Sequence, residues 1–177
     1  MSDGLDPAIS RLLMDLSDRL ATIESAQLEA ELVEAERSSV GITERLTSSL
    51  GAKMHVVMQG GRSADGVLQD VSATWARLER AQAHHVFVAM AKIAVIKGLG
   101  RASHAHREVD IRRGWGHVLR RCGAQGVRVK ICCAQREITG RVLGVGKDVV
   151  DLELDDGSRA AVVLDQIETL DTWGLAS

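Results

Sequence analysis

The sequence predicts a mainly β chain of class α+β: an acidic N-terminal helix, then two copies of one small barrel, each preceded by a helix. Three observations carry that expectation. From Lys53 onward, short runs alternate apolar and polar residues, the pattern of half-buried strands. The stretches GVLQDVSATWARLE and GRVLGVGKDVVDLE both open on glycine, pass through a valine and close on Leu-Glu. One offset, the 74 residues between Gly66 and Gly140, also pairs Val71 with Val145, Leu78 with Leu152, Val88 with Val162 and Ile93 with Ile167 without a gap. An offset kept across several strands reads as an internal duplication.

Taken in order, Asp6 caps the first helix and Pro7 occupies its first position, where a missing N–H costs nothing. Ile9, Leu13, Leu16, Leu20 and Ile23 then recur at alternating four- and three-residue steps, which places them on one helical stripe. That stripe either packs on its own domain or serves dimerisation or partner docking. SSVG ends the pattern, so residues 1–41 form an acidic amphipathic helix. A short amphipathic stretch with Ile42, Leu46 and Leu50 stops at Gly51. KMHVVMQ, VLQDV, TWARLE, HHVFVAM and KIAVIKGL follow as strands, with GGRSADG a connector, giving a first barrel over residues 42–100. Gly98-Leu99-Gly100 is a hinge. The second barrel spans residues 101–177. Its helix is VDIRRGWGHVLRRCG, interrupted by Gly114 and Gly116. VRVKICC, ITGRVLGV, DVVDLELDDG, RAAVVL and QIETL are its strands, and Asp155-Asp156-Gly157 is a hairpin turn. Trp75 and Phe87, inside alternating apolar runs, belong to the core.

Composition excludes several classes of protein. With 45% hydrophobic and 26% charged residues, the 177-residue chain is globular rather than disordered. A net charge of -2 gives no global pull toward nucleic acid or membrane. No apolar run approaches the roughly 18 residues of a membrane helix. The start MSDGLDPAIS lacks the basic and apolar regions of a signal peptide. Three cysteines, two of them adjacent, make no disulfide framework, so a reduced cytoplasmic protein is expected. The charge is unevenly spread: residues 1–50 carry ten acidic and four basic side chains, residues 97–130 two acidic and nine basic. An acidic arm and a basic connector therefore share one chain.

A helix followed by five short, bent strands, with a glycine in the second strand, resembles the Sm-like fold, an SH3-like barrel found in RNA-binding rings. The resemblance covers residues 42–97 and 107–171. The whole layout also resembles an actinobacterial family with an acidic N-terminal helix and two such barrels, whose members are sometimes labelled transcriptional regulators. The resemblance implies RNA or single-stranded DNA as ligand and ring-type association of barrels. Its base-reading residues are not matched. Where Sm proteins place an Asp and an Asn after the second-strand glycine, this chain has Ser72 and Ala76, and then Gly146 and Val150. The terminal Lys-His pair of the bacterial RNA-chaperone branch is also missing.

Any nucleic-acid contact would then use other residues, and the basic connector is the best candidate, with Arg121 among its arginines. If its helix is continuous, Arg113, His117 and Arg120 share one face, with Arg112 beside them. Such a face could neutralise several phosphates, and Trp115 could stack on an unpaired base. The same arginines could instead solvate a face or meet the acidic arm, and Trp115 could plug the seam between barrels. His84-His85, His104-x-His106 and the cysteines have none of the spacings of a closed metal site, so no metal or cofactor is expected. Nucleophile elbows, phosphate loops and dinucleotide fingerprints are absent from the sequence, and no enzyme is expected. Two functions remain: a nucleic-acid binder or regulator, and an interaction scaffold or homo-oligomer that adds barrel edge to barrel edge.

Overall fold

The computed structural model describes residues 41–81, 83–100 and 113–175, together with Leu16, Arg19, Ile23 and Gln27. The chain divides into two compact units, Met1–Gly41 and Ile42–Ser177, and the boundary expected after residue 100 lies inside the second. In the first unit Leu16, Arg19, Ile23 and Gln27 are helical. Leu16 and Ile23, two turns apart on one face, are 48% and 54% exposed. Ile9, Leu13 and Leu20 of the predicted stripe lie outside the described residues.

The second unit is mainly β with few helices, as the sequence predicts. Helix α1 (Ile42–Thr47) leads β1 (Lys53–Met58), β2 (Ser63–Val71), β3 (Trp75–Arg80), β4 (His84–Ala89) and β5 (Ile93–Lys97). Helix α2 (Trp115–Ala124) leads β6 (Arg128–Cys133), β7 (Arg136–Val145), β8 (Val149–Leu154), β9 (Arg159–Val163) and β10 (Ile167–Trp173). All ten strands join one antiparallel sheet in the order β5-β1-β2-β3-β4-β10-β6-β7-β8-β9. Each half runs in the order fifth, first, second, third, fourth. Pairings coincide too: Leu68 faces Leu78 as Val142 faces Leu152, and the bulge after Leu68 recurs after Val142. Short 3₁₀ turns precede the fifth strand of each half, at Met90–Lys92 and Leu164–Gln166.

Two elements differ from the sequence reading. β2 begins at Ser63, so most of the predicted GGRSADG connector is strand, and only the turn at Gly60 and Gly61 remains. Gly61 takes a φ of +82°, which spares the turn a side-chain penalty. α2 begins at Trp115 rather than within the arginine run, because Gly114 sits at its N-cap in extended backbone. The DDG turn forms as predicted, with Gly157 at a φ of +79° and Leu154 N donating to Ser158 O at 2.8 Å.

Alternation explains the first core. Met54, Val56 and Met58 of β1 turn inward onto Leu46, Leu68 and Leu78, while Lys53 points to solvent. Gly66 explains why both second strands carry a glycine. A Cβ there would lie 2.8 Å from Glu79 O, and one at Gly140 would run into Glu153 O. Each glycine lets the second strand press against the third where the sheet bends.

The second core breaks the symmetry. It gathers Val118, Leu119 and Cys122 of α2 with Val129, Ile131, Val150, Leu152 and Leu170, and it also takes Trp75 and Phe87 from the first half. Those two rings meet edge to face at 5.2 Å. Both are core, as predicted, but in the core of the other half. β4 consequently buries both faces: Val86 and Val88 turn to the first core, Phe87 to the second.

Gly140→Ala is expected to lower stability by about 1–3 kcal/mol, the typical penalty of overpacking, because the obstructing atom is backbone and cannot swing aside. Urea denaturation checks this, and an unchanged midpoint would contradict it.

Candidate functional site

α2 forms because its buried residues fall one turn apart, Val118 and Cys122 with Leu119 between them, and lie on the second core. Gly123 packs on Val142 of β7, where a Cβ would come within 3.3 Å of the Val142 side chain. This seats the helix and fixes where its basic residues point.

The predicted basic residues do not share one face. Arg112 lies outside the described residues. Arg113 precedes the helix, and its Nη1 donates to Asp70 Oδ2 of β2 at 3.0 Å. This corrects the expected grouping of Arg113 with His117 and Arg120, which required a helix through residue 113. Trp115 is half-buried against the second core, and it also borders a cleft of about 640 Å³ with Thr74, Lys92, Lys147 and Leu164 among its walls. His117 and Arg120 are exposed, and Arg121 is half-buried.

A second, smaller cavity of about 30 Å³ lies beside α2. Arg113, His117 and Arg121 line it, together with Asp70, Trp75 and Arg77 from the first half. Arg77 and Asp70 escaped the sequence reading. The signal was present for Arg77: on a strand it shares a face with Trp75 two residues away, so a core assignment for Trp75 places an arginine on the core face.

Among the described residues, two ion pairs and one histidine–carboxylate contact cross between the halves. Arg113 meets Asp70; Arg62 Nη1 meets Glu137 Oε1 at 2.6 Å; and His84 Nε2 meets Asp171 Oδ1 at 2.7 Å. The Arg62 guanidinium holds the Glu137 carboxyl below the usual range. His84 also stacks on Trp173, ring centres 4.7 Å apart. Its neighbour His85 is buried, and burial, reinforced by the Arg77 charge, pushes its pKa below the ordinary 6.5.

The positions that Sm proteins use to read bases do structural work here. Ser72 is fully buried, and its hydroxyl accepts from the N–H groups of Thr74 and Trp75, each at 3.1 Å, closing the β2–β3 turn. Ala76 and Val150 are core, and Gly146 N donates to Val149 O at 2.8 Å. Burial pushes the Cys122 thiol up to about 11 and raises that of Cys132, which makes these two poor nucleophiles. Among the described residues no three His, Cys, Asp or Glu side chains gather into a metal-binding group. No helix among them is long and apolar enough to cross a membrane.

His85 makes stability pH-dependent. Its folded pKa lies below the unfolded one, so the unfolded chain takes up the proton first as pH falls through 6.5, and the fold loses stability there. Urea midpoints measured at about pH 7.5 and about pH 5.5 should drop less for His85→Gln than for the wild type. An identical drop in the two proteins would contradict this assignment.

Neither a protein-family model nor a curated protein sequence matches this chain.

Proposed function

We propose that the chain is a non-enzymatic binding protein built from two tandem Sm-like barrels, and that it acts by self-association through its strand edges. The observation that supports this most is the seam inside the molecule. β4, the fourth strand of the first half, pairs with β10, the fifth of the second, bringing Val88 opposite Thr169 and Phe87 opposite Leu170. Among the described residues the sheet ends at β5 and β9, the fifth strand of the first half and the fourth of the second. These are the same two partners, left open at opposite ends.

Applying the offset of Gly66 to Gly140 to the seam gives the contact a second copy would make. Val95 would face Val162, and Ile96 would face Ala161. Val95 and Val163 are each 48% exposed, apolar side chains on strands that have no further partner strand among the described residues. Edge addition draws its strength from main-chain hydrogen bonds and tolerates changes of sequence. A head-to-tail contact of this kind either closes into a ring or grows into a filament. Three chains would close a six-barrel ring, the arrangement the Sm resemblance suggests. The exposed Leu16 and Ile23 of the N-terminal helix suit a further protein contact.

A second reading, RNA or single-stranded DNA as ligand with a regulatory role, draws support from His117 and Arg120, which stay exposed on α2 in the most basic part of the chain. Arg113 and Arg121 turn toward a cavity, so this phosphate-binding stripe is shorter than the sequence suggested. On this reading Arg120→Glu flattens the salt dependence of oligonucleotide affinity by about one unit of log–log slope. Binding of labelled RNA unaffected by Arg120→Glu at low salt would remove it.

Sedimentation equilibrium tests the first reading. Val95→Asp blocks β5 and Val163→Asp blocks β9, so each variant alone should sediment as a monomer while the wild type does not. Mixed together, each variant supplies the edge the other lacks, and a one-to-one dimer should form. A monomeric wild type, or variants that keep the wild-type mass, would overturn the proposal.

A further inference from the structure

The two cores are not covered alike. Ile167 and Leu170 of the second core are fully buried, and the Trp75 and Phe87 rings from the first half share that core with them. Their counterparts in the first core, Ile93 and Ile96, are only half-buried. Strand register shows that the positions are equivalent. Ile96 pairs with Val56 as Leu170 pairs with Ile131, and Ile93 pairs with Met58 as Ile167 pairs with Cys133. The first core is therefore open at the corner where the other half covers the second.

The strands that would cover that corner carry smaller side chains. Trp75 pairs with Ala89 and Phe87 with Arg77, while in the second half Val149 pairs with Val163 and Ala161 with Asp151. Val149 and Ala161 thus stand where the two rings stand, and Ala161 and Val163 are exposed. At the internal seam Phe87 lies opposite Leu170, whereas between copies Ala161 would lie opposite Ile96. The histidine–carboxylate contact is not repeated either, because the offset puts Ser158 in the place of His84 and Lys97 in that of Asp171. Apolar gain scales with the area removed from water, so a valine and an alanine gain much less than two rings.

We propose that the face of β8 and β9 carrying Val149, Ala161 and Val163 docks on the corner at Ile93 and Ile96 of a second copy, as a weaker version of the internal seam. Assembly is then reversible and set by concentration, while the two halves of each chain stay joined. Such docking rests on edge association through β5 and β9, and it fixes where the assembly comes apart.

Sedimentation velocity of the full-length chain over a dilution series tests it. The wild type should fall from assembly to monomer on dilution. Ala161→Phe restores a missing ring and should hold the assembly together down to a concentration at least about tenfold lower. The same substitution in a Val95→Asp chain should leave a monomer, which separates a filled seam from a merely sticky surface. Lys97→Asp with Ser158→His rebuilds the histidine–carboxylate contact and should strengthen assembly more than the two single substitutions added together. A wild type that is monomeric at every concentration would remove edge association itself. A wild type still assembled at the lowest concentration would overturn the weaker seam alone and leave association standing. So would Ala161→Phe and Lys97→Asp/Ser158→His chains no stronger than the wild type, or an Ala161→Phe gain that survives Val95→Asp.

Discussion

The pairing of β4 with β10 is the contact on which the rest of the molecule depends. It is a five-residue ladder backed by two aromatic rings that the first half delivers into the second core. Magnitudes rank its parts. Removing a buried Phe or Trp ring costs about 3–5 kcal/mol, whereas a half-exposed ion pair such as Arg62–Glu137 contributes about 0–1 kcal/mol. The rings therefore contribute more to holding the halves together than the ion pairs do.

That seam has two consequences. It brings β3 beside the entry of α2, so that arginines from distant parts of the chain line one cavity. It also uses one fourth strand and one fifth strand, leaving the other two at the ends of the sheet. A contact already made once inside the chain needs no new chemistry to be made again between chains, and the seam therefore supports association more directly than the exposed valines alone would.

Much of the sheet was legible in the sequence, because strand periodicity and turn glycines act locally. The β1 alternation, the DDG turn and the shared offset of Gly66 and Gly140 all correspond to observed elements. The seam was not legible. β4 reads HHVFVA and β10 reads IETLDTW, and nothing in either segment says that His84 will meet Asp171 across the chain. β10 carries Glu168, Thr169, Asp171 and Thr172 in buried positions, contrary to any hydropathy rule, because its partners lie on both sides. The connector failed for a different reason. Gly114 ends the helical pattern, so Arg113 leaves the face that i, i+4 spacing assigned to it and turns to Asp70. The cavity was half-visible: the α2 residues stood out by charge, but Arg77 needed the strand face of Trp75 to be followed to its end.

Amide hydrogen exchange on β5 and β9 at high and low protein concentration tests whether the internal seam is repeated between copies. The outward-facing amides of both strands should be protected in concentrated protein and lose that protection on dilution, while β4 and β10 stay protected throughout. Fast exchange at β5 and β9 at every concentration, beside a protected seam, would contradict that repetition.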